Sequence, residues 1–279
     1  MTIAPTRSRF FLGGNDLEME TIRVLLARHV PAAVMDLRLH WGNALASKYA
    51  DNIAKSLDRG ERPVLIELRD DLPAHFERGC LELIDHHGNA AGNTVKTALE
   101  RVFEYLGLDR EHQWTRWFDL VCANDRGHIP GLQQAEATVA EIVTVRLLDR
   151  RAQGVTPADE KAARKSIAWR DQLAGYRLAV VRIEHEHASA VADFIHPVFD
   201  GPGRENMLVI SPREANFDGM GMLIRALDVQ FPGGWYGGSL PERGYWGRLL
   251  DSTVTTDAII AFLVTRLAGA PPQGSMASS

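Results

Sequence analysis

The sequence predicts an α/β protein in which a parallel-sheet domain is joined by a helical linker to a smaller α/β C-terminal domain. In the first half, short apolar runs alternate with amphipathic segments, the pattern of parallel strands joined by crossover helices. Polar and acidic residues follow several of these runs, at the sheet edge where open α/β sheets carry functional side chains. A charged, apolar-poor segment from Asp159 to Arg170, with Gly154 before it and Gly175 after it, predicts a connecting helix.

The first domain is expected to span residues 1–152 and to contain four strands. The first helix follows from the spacing of Ile22, Leu25 and Leu26, which places all three on one face. We interpret the run Arg146 to Arg151 as the exposed face of the last helix. The predicted elements, in chain order, are strand Arg9–Leu12, helix Leu17–His29, strand Ala32–Met35, helix Asn43–Leu57, strand Pro63–Ile66, strand Cys80–Ile84, helix Asn93–Leu106, helix Trp114–Ala123 and helix Gln134–Arg151.

The linker is expected over residues 153–175 and the second domain over residues 176–268. Thr156 and Pro157 suit the N-cap and first position of the linker helix. The glycine-rich stretches Pro232–Gly238 and Gly244–Gly247 predict loops. Residues 269–279, rich in Ala, Pro, Gly and Ser, predict a disordered tail. The regular elements expected here are strand Leu178–Val181, helix Ser189–Phe194, strand Met207–Ile210 and helix Thr255–Leu267.

Composition narrows the class of protein. The 279 residues are 45% hydrophobic and 24% charged, which is enough apolar material for a sizeable core. The net charge of -5 argues against a protein that tracks long nucleic acid. Cys80, on a predicted strand, and Cys122, in a predicted helix, are expected to be core residues and give no disulfide framework. With no signal-peptide pattern and no apolar stretch near the ~20 residues of a membrane span, we expect a soluble cytoplasmic protein.

Asp85-His86-His87, which ends an apolar run and precedes Gly88, is the most informative motif. Carboxylates and imidazoles are ligands of Mn²⁺, Mg²⁺ and Zn²⁺. Other acids recur after predicted elements of the same domain, namely Asp16, Glu18, Glu67 and Asp125. Such a set predicts a site for one or two divalent cations. Two cations about 3.5 to 4 Å apart can bridge a phosphate and activate water, which is the chemistry of phosphoester or phosphoanhydride hydrolysis.

This order of motifs resembles the DHH phosphoesterase superfamily, and most of the chain takes part in the resemblance. In that family an acidic pair follows strand one, an Asp ends a middle strand, Asp-His-His comes next, and another Asp lies some forty residues later. Asp16-Leu17-Glu18, Glu67, Asp85-His86-His87 and Asp125 occur in that order here. The chain thus looks like a divergent RecJ-like member, with a DHH domain and a DHHA1-like C-terminal domain.

The resemblance implies roles for these residues. Glu18, Glu67, His86 and Asp125 would ligate one Mn²⁺ or Mg²⁺, and Asp16 and Glu67 would help to hold another. Asp85, His86 and His87 would be the catalytic residues, with His87 facing the phosphate and Asp85 orienting a ligand.

The family's second domain carries a glycine-rich substrate-binding motif. Gly233, Gly234, Gly237 and Gly238 occupy the corresponding place, and Arg243 or Arg248 would add a charge-assisted bond to phosphate. The aromatic residues of this region either stack a base or form a hydrophobic edge between the domains; they are Trp235, Tyr236 and Trp246.

The chain also departs from the family pattern. No His precedes Asp16, and the glycine-rich motif lacks its His. His40 or His128 is a candidate replacement imidazole, although a surface histidine is the commoner role. Asp70 or Asp71 competes with Glu67 as the middle-strand acid.

The expected function is hydrolysis of a phosphodiester or phosphoanhydride by a metal-activated water. The substrate would be a small nucleotide or a short oligonucleotide. The alternative is a catalytically impaired nucleotide-binding sensor or regulatory protein, favoured by the missing imidazole. No membrane partner is expected, and a homodimer is an option.

Overall fold

A computed structural model describes residues 7–88, 95–251 and 253–268. The chain divides into two compact units, Met1–Gly154 and Val155–Ser279. A parallel sheet with helices forms the first unit and a mixed sheet with helices the second, so the predicted α/β class is confirmed. Within the described ranges, no helix has the length and apolar character needed to cross a membrane. The predicted disordered tail, residues 269–279, lies outside the described residues.

The first unit is built on a four-stranded sheet in the order β2-β1-β3-β4, and every pairing in it is parallel. The strands are β1 (Ser8–Gly14), β2 (Val34–Leu39), β3 (Arg62–Ile66) and β4 (Glu82–Ile84). The helices are α1 (Leu17–His29), α2 (Ala50–Asp58), α3 (Ala98–Tyr105), α4 (Arg110–Gln113), α5 (Arg116–Gln134) and α6 (Val139–Ala152). β1 and β3 are the central strands and are almost wholly buried. The residues of the predicted site follow the carboxyl ends of the strands, at the edge where open α/β sheets carry functional side chains.

Two expectations for the first unit were wrong. Cys80 is exposed and lies in a 3₁₀ turn before β4, not in the strand. The Arg78 side chain fixes that turn outside the sheet by donating to the carbonyls of Leu72 and Phe76. The arginine run on α6 is not an exposed face, because Arg146 and Arg150 are buried at 1% and 3% exposure.

The second unit contains a six-stranded mixed sheet in the order β5-β6-β7-β8-β10-β9. The strands are β5 (Asp171–Leu173), β6 (Leu178–Arg182), β7 (Asn206–Ile210), β8 (Glu214–Met220), β9 (Trp235–Gly237) and β10 (Arg243–Leu249). The helices are α7 (Pro157–Ala168), α8 (Ala188–Phe194), α9 (Gly221–Gln230) and α10 (Thr256–Ala268). The predicted linker helix is α7, capped by Thr156 as expected, and its Ala163 and Ile167 pack in the core of this unit.

The glycine-rich stretches are not only loops, because β9 and β10 pair antiparallel within them. Glycine is required where these strands meet the Trp235 side chain: a Cβ on Gly247 would lie 2.3 Å from the indole ring. A larger residue at position 247 would push the two strands apart. Trp246 and Tyr236 are buried in this sheet, at 1% and 6% exposure, so neither offers a free face for base stacking.

Candidate metal centre

The acids predicted at the ends of strands converge at one edge of the first sheet. Glu67 follows β3 directly, and Asp85-His86-His87 follows β4. Glu18 lies in the first turn of α1, just after β1, and Asp125 lies in α5. The parallel topology therefore brings together residues that are far apart in the sequence.

Three carboxylates surround one imidazole nitrogen. His86 Nε2 lies 2.8 Å from Asp125 Oδ2, 3.1 Å from Glu67 Oε1 and 3.7 Å from Glu18 Oε2. Two donors bound at right angles about 2.1 Å from one small divalent cation lie about 3 Å apart. The spacing thus fits donors that share a cation.

The same atoms have no hydrogen-bond partner among the described residues, and each is buried. They are Glu18 Oε2, both carboxylate oxygens of Glu67, His86 Nε2 and Asp125 Oδ2. His86 Nε2 and Asp125 Oδ2 are close but lack the alignment of a hydrogen bond. Buried polar groups left without partners are costly, and a bound cation would satisfy all of them. His87 also belongs to the cluster, because one donor atom each from Glu67, His86, His87 and Asp125 lie within 4.8 Å of one another.

The ionisation of the cluster reflects its excess of acids. Burial and the neighbouring Glu18 raise the pKa of Glu67 well above its ordinary value. Burial alone would lower the pKa of His86, but Asp125, Glu18 and Glu67 raise it well above that of a free histidine. Burial raises the pKa of Asp125, but the charge of His86 outweighs it and the net shift is downward. Three acids around one imidazole are the environment that a divalent cation neutralises.

Glu18 is held by the start of α3. Its Oε1 accepts a 2.8 Å hydrogen bond from the backbone N–H of Leu99, which leaves Oε2 to face His86. Thr97 and Glu100 form a capping box at the same helix start. We did not single out Thr97 from the sequence, although the Thr-x-x-Glu spacing is a recognisable cap signature.

Glu67 has a left-handed backbone, with φ of 51°, and is almost completely buried. Non-glycine residues seldom adopt this conformation, so it marks a strained position. Gly13 on β1 permits it, because a Cβ at Gly13 would lie 2.1 Å from the Glu67 carbonyl oxygen. Asp70 and Asp71, the competing candidates, are exposed and pair with Arg78 and Ser47 instead.

Asp85 lies against the neighbouring histidine. Its Oδ1 accepts from the His87 backbone N–H and lies 2.9 Å from His87 Nδ1. Burial raises the pKa of Asp85, but these bonds and the charge of His87 hold it below its ordinary value. Arg101 steadies the end of β4 by donating to the carbonyls of Asp85 and Leu83.

Asp16 is buried beside the cluster but is engaged in two other contacts. Its Oδ1 caps α1 by accepting from the Met19 N–H at 2.8 Å, and its Oδ2 accepts from the indole N–H of Trp41 at 3.1 Å. The Trp41 ring also meets the His87 ring edge to face, with centroids 4.8 Å apart. No pattern in the sequence indicated Trp41.

The two candidate replacement imidazoles lie in different settings. His40 is exposed. His128 lies at a break in α5, and its charge helps to lower the pKa of Asp125.

A buried polar network supports the centre from α6. Arg146 donates at 2.8 Å to both Asn124 Oδ1 and Asp149 Oδ2. Asp149 Oδ1 accepts from the backbone N–H of Leu17, between the two acids of the first motif. Arg146 and Asp149 therefore tie the segment before Asp125 to the start of α1. This role was missed from the sequence because the run has the pattern of a charged helix face.

The predicted substrate-binding residues lie in the second unit. Gly237 is within β9, and Gly233 and Gly238 flank this strand with φ of 91° and 103°. Arg243 begins β10, and its guanidinium shares Asp218 Oδ1 with that of Arg204. Gly234 packs against the carbonyl of Gly247, and Arg248 donates to the carbonyl of Pro232.

Comparison with known proteins finds similarity of fold only. No family profile and no curated protein matches the sequence. The chain is similar to exonuclease RecJ bound to manganese, at 14% identity and a TM-score of 0.46, covering 96% of this chain and 92% of that one. It is similar to RecJ from Thermus thermophilus in complex with Mn²⁺, at 12% identity and a TM-score of 0.48, covering 95% and 53% of the two chains. A third similar structure is PggH, the pGpG-specific phosphodiesterase of Vibrio cholerae, at 13% identity and a TM-score of 0.32, covering 94% and 98%.

Proposed function

We propose that this protein is a metal-dependent phosphoesterase, a divergent member of the DHH superfamily. Its substrate would be a phosphodiester or phosphoanhydride of a small nucleotide or a short oligonucleotide. The observation that carries the proposal is the convergence of buried, unpartnered donor atoms from Glu18, Glu67, His86 and Asp125. This mixture of oxygen and imidazole donors suits Mn²⁺ or Mg²⁺.

A bound divalent cation would polarise the phosphate and lower the pKa of water in the site. The protein's part is to hold the ligands and to manage a proton. His87 is placed for the second task, because Asp85 engages its Nδ1 and so holds the ring beside the cluster. The His87 imidazole would exchange a proton with a leaving oxygen. Asp85, His86 and His87 are thus the proposed catalytic residues.

For substrate binding we propose Arg243 and the glycines at 233, 234, 237 and 238. The contact of Arg243 and Arg204 with one carboxylate oxygen of Asp218 supports this, because it gathers two guanidinium groups at one place and guanidinium groups bind anions. The net charge of -5 favours a short substrate over long nucleic acid. We further propose a cytoplasmic location, with a homodimer as an option.

A nucleotide sensor is the second candidate function. The hydrogen bonds from protein donors to both Asp16 oxygens favour it, because these donors compete with a cation for the carboxylate.

The test is metal content and Mn²⁺-dependent hydrolysis by wild-type protein and His86→Ala. The panel is pyrophosphate, mononucleotides, cyclic dinucleotides and di- to pentanucleotides. We expect wild-type turnover on one class and a loss of at least about 100-fold in His86→Ala, since even outer-shell partners of a metal cost 10- to 100-fold. Asp85→Ala should also abolish turnover while leaving the fold intact.

His40→Ala is the matched control, because His40 is exposed and outside the cluster. It should keep wild-type turnover. Wild-type-like turnover in His86→Ala would refute this site as the catalytic centre. Nucleotide binding by the wild-type protein without hydrolysis under any divalent cation would favour the sensor.

A further inference from the structure

We infer that the metal centre holds a single divalent cation, and that Trp41 occupies the place beside Asp16 where a second would bind. The inference rests on the proposed function and concerns the number of cations at the same site. Both oxygens of Asp16 accept hydrogen bonds from the protein, whereas the donor atoms around His86 have no hydrogen-bond partner among the described residues.

Each oxygen of Asp16 already accepts a hydrogen bond from the protein in this arrangement. One oxygen caps α1, and the other accepts the indole N–H of Trp41. An indole nitrogen is a donor only, so its hydrogen points positive charge at the oxygen that a cation would need. A cation on the side of Asp16 Oδ2 that faces the indole N–H would require the Trp41 ring to move away.

The Trp41 ring has little room to move. It lies so close to β1 that a Cβ on Gly14 would come within 2.6 Å of the ring. On another side it packs edge to face against His87, which Asp85 holds in turn. Gly14 therefore makes space for the indole, which lies between β1 and the His87 ring.

The donor atoms around His86, unlike the oxygens of Asp16, have no hydrogen-bond partners among the described residues. Glu18, Glu67, His86 and Asp125 each present a buried atom with no hydrogen-bond partner among the residues described. Glu67, His86, His87 and Asp125 offer donors within 4.8 Å of one another, a set that can share one ion. The structure thus assigns one cation to this cluster and gives Asp16 a structural role.

The first test counts the cations. Full-length wild-type protein is dialysed to equilibrium against Mn²⁺, and bound metal is measured together with the electron paramagnetic resonance spectrum. One Mn²⁺ per chain with the spectrum of an isolated ion is expected. Two Mn²⁺ per chain with a spin-coupled spectrum would overturn the inference and leave the proposed function standing. No bound Mn²⁺ would overturn both.

Two matched substitutions then separate the carboxylates. Asp125→Asn should raise the Kd for Mn²⁺ by about 100-fold, the scale set by losing a metal-site partner. Asp16→Asn should change that Kd by less than about threefold, because an Asn side chain also caps a helix. A loss in Asp16→Asn as large as in Asp125→Asn would make Asp16 a ligand and overturn the inference.

Trp41→Ala tests the indole directly. With the ring removed, Asp16 Oδ2 is released, and the Mn²⁺ count should rise from one to two per chain. A count that stays at one in folded Trp41→Ala, as judged by circular dichroism, would overturn the role assigned to Trp41.

Discussion

At the scale of single residues, the candidate metal centre depends on two glycines as well as on its proposed ligands. Gly13 has no side chain, so β1 can lie against the backbone of Glu67. Gly14 makes the equivalent space for the Trp41 ring. Neither glycine needs a positive φ, and both are required by close approach alone.

Gly13→Ala should therefore damage both stability and metal binding. The new Cβ would meet the Glu67 carbonyl oxygen at 2.1 Å, so backbone must shift. Overpacking of this kind costs about 1–3 kcal/mol, and the shift would carry the Glu67 carboxylate away from His86. Urea denaturation and a Mn²⁺ titration measure the two effects.

Gly79→Ala is the control, because nothing lies within 4 Å of its Cβ position. Its free energy of unfolding should stay within about 0.5 kcal/mol of wild type, as for most surface substitutions. Equal Mn²⁺ affinity in the two variants would show that Gly13 does not position Glu67.

Residue types and their order were enough to predict the donors of the centre. A carboxylate or imidazole after a buried strand is visible in the sequence, and Glu67, His86 and Asp125 do lie together. Trp41 and Arg146 were not predictable in this way. Their roles depend on contacts with Asp16 and Asn124, and nothing in the local sequence of either residue indicates its partner.

At the scale of elements, two helix starts that are alike in sequence differ in their contact with the candidate metal centre. Both α3 and α6 begin with a Thr-x-x-Glu capping box, formed by Thr97 and Thr138. Only the start of α3 also donates a backbone N–H to a proposed ligand, from Leu99 to Glu18.

Thr97→Ala and Thr138→Ala should consequently differ in metal binding. Loss of a Thr cap costs about 1 kcal/mol of stability, and Thr97, which is buried, should cost more than the exposed Thr138. Mn²⁺ affinity should fall in Thr97→Ala, because fraying of the first turn of α3 releases Glu18, and should be unchanged in Thr138→Ala.

Thermal unfolding and Mn²⁺ titration of both variants give the comparison. An affinity loss of the same size in both variants would mean that general destabilisation, and not the hold on Glu18, weakens the site.

The elements of the first unit were easier to predict than those of the second. Buried parallel strands such as β1 and β3 appear as continuous apolar runs between helical patterns. β5, β8, α9, β9 and β10 were missed. β10 contains two glycines, and its place in the sheet depends on pairing with β8 and with β9, which local propensity does not reveal.

At the scale of the whole molecule, the centre exists only when the first unit is folded. Glu18, Glu67, His86 and Asp125 come from four separate segments, so an unfolded chain cannot present them together. A cation that binds the folded state alone adds its binding free energy to stability, about 2.7 kcal/mol at a hundredfold excess over Kd.

Mn²⁺ should therefore slow amide hydrogen exchange of the full chain, with the largest gain in first-unit peptides around Glu18, Glu67, His86 and Asp125. Hydrogen-exchange mass spectrometry with and without Mn²⁺ measures this, and His86→Ala should show no gain. A larger gain in peptides of the second unit would place the cation elsewhere.

The strained backbone of Glu67 has a consequence for how this sequence can change. Glycine would relieve the φ of 51° and remove two buried oxygens that lack partners, so a selection for heat resistance alone favours it. The cavity left by the buried side chain and a requirement for the cation both oppose that change. A glutamate in this conformation is therefore a position where stability and metal binding make opposite demands on the sequence.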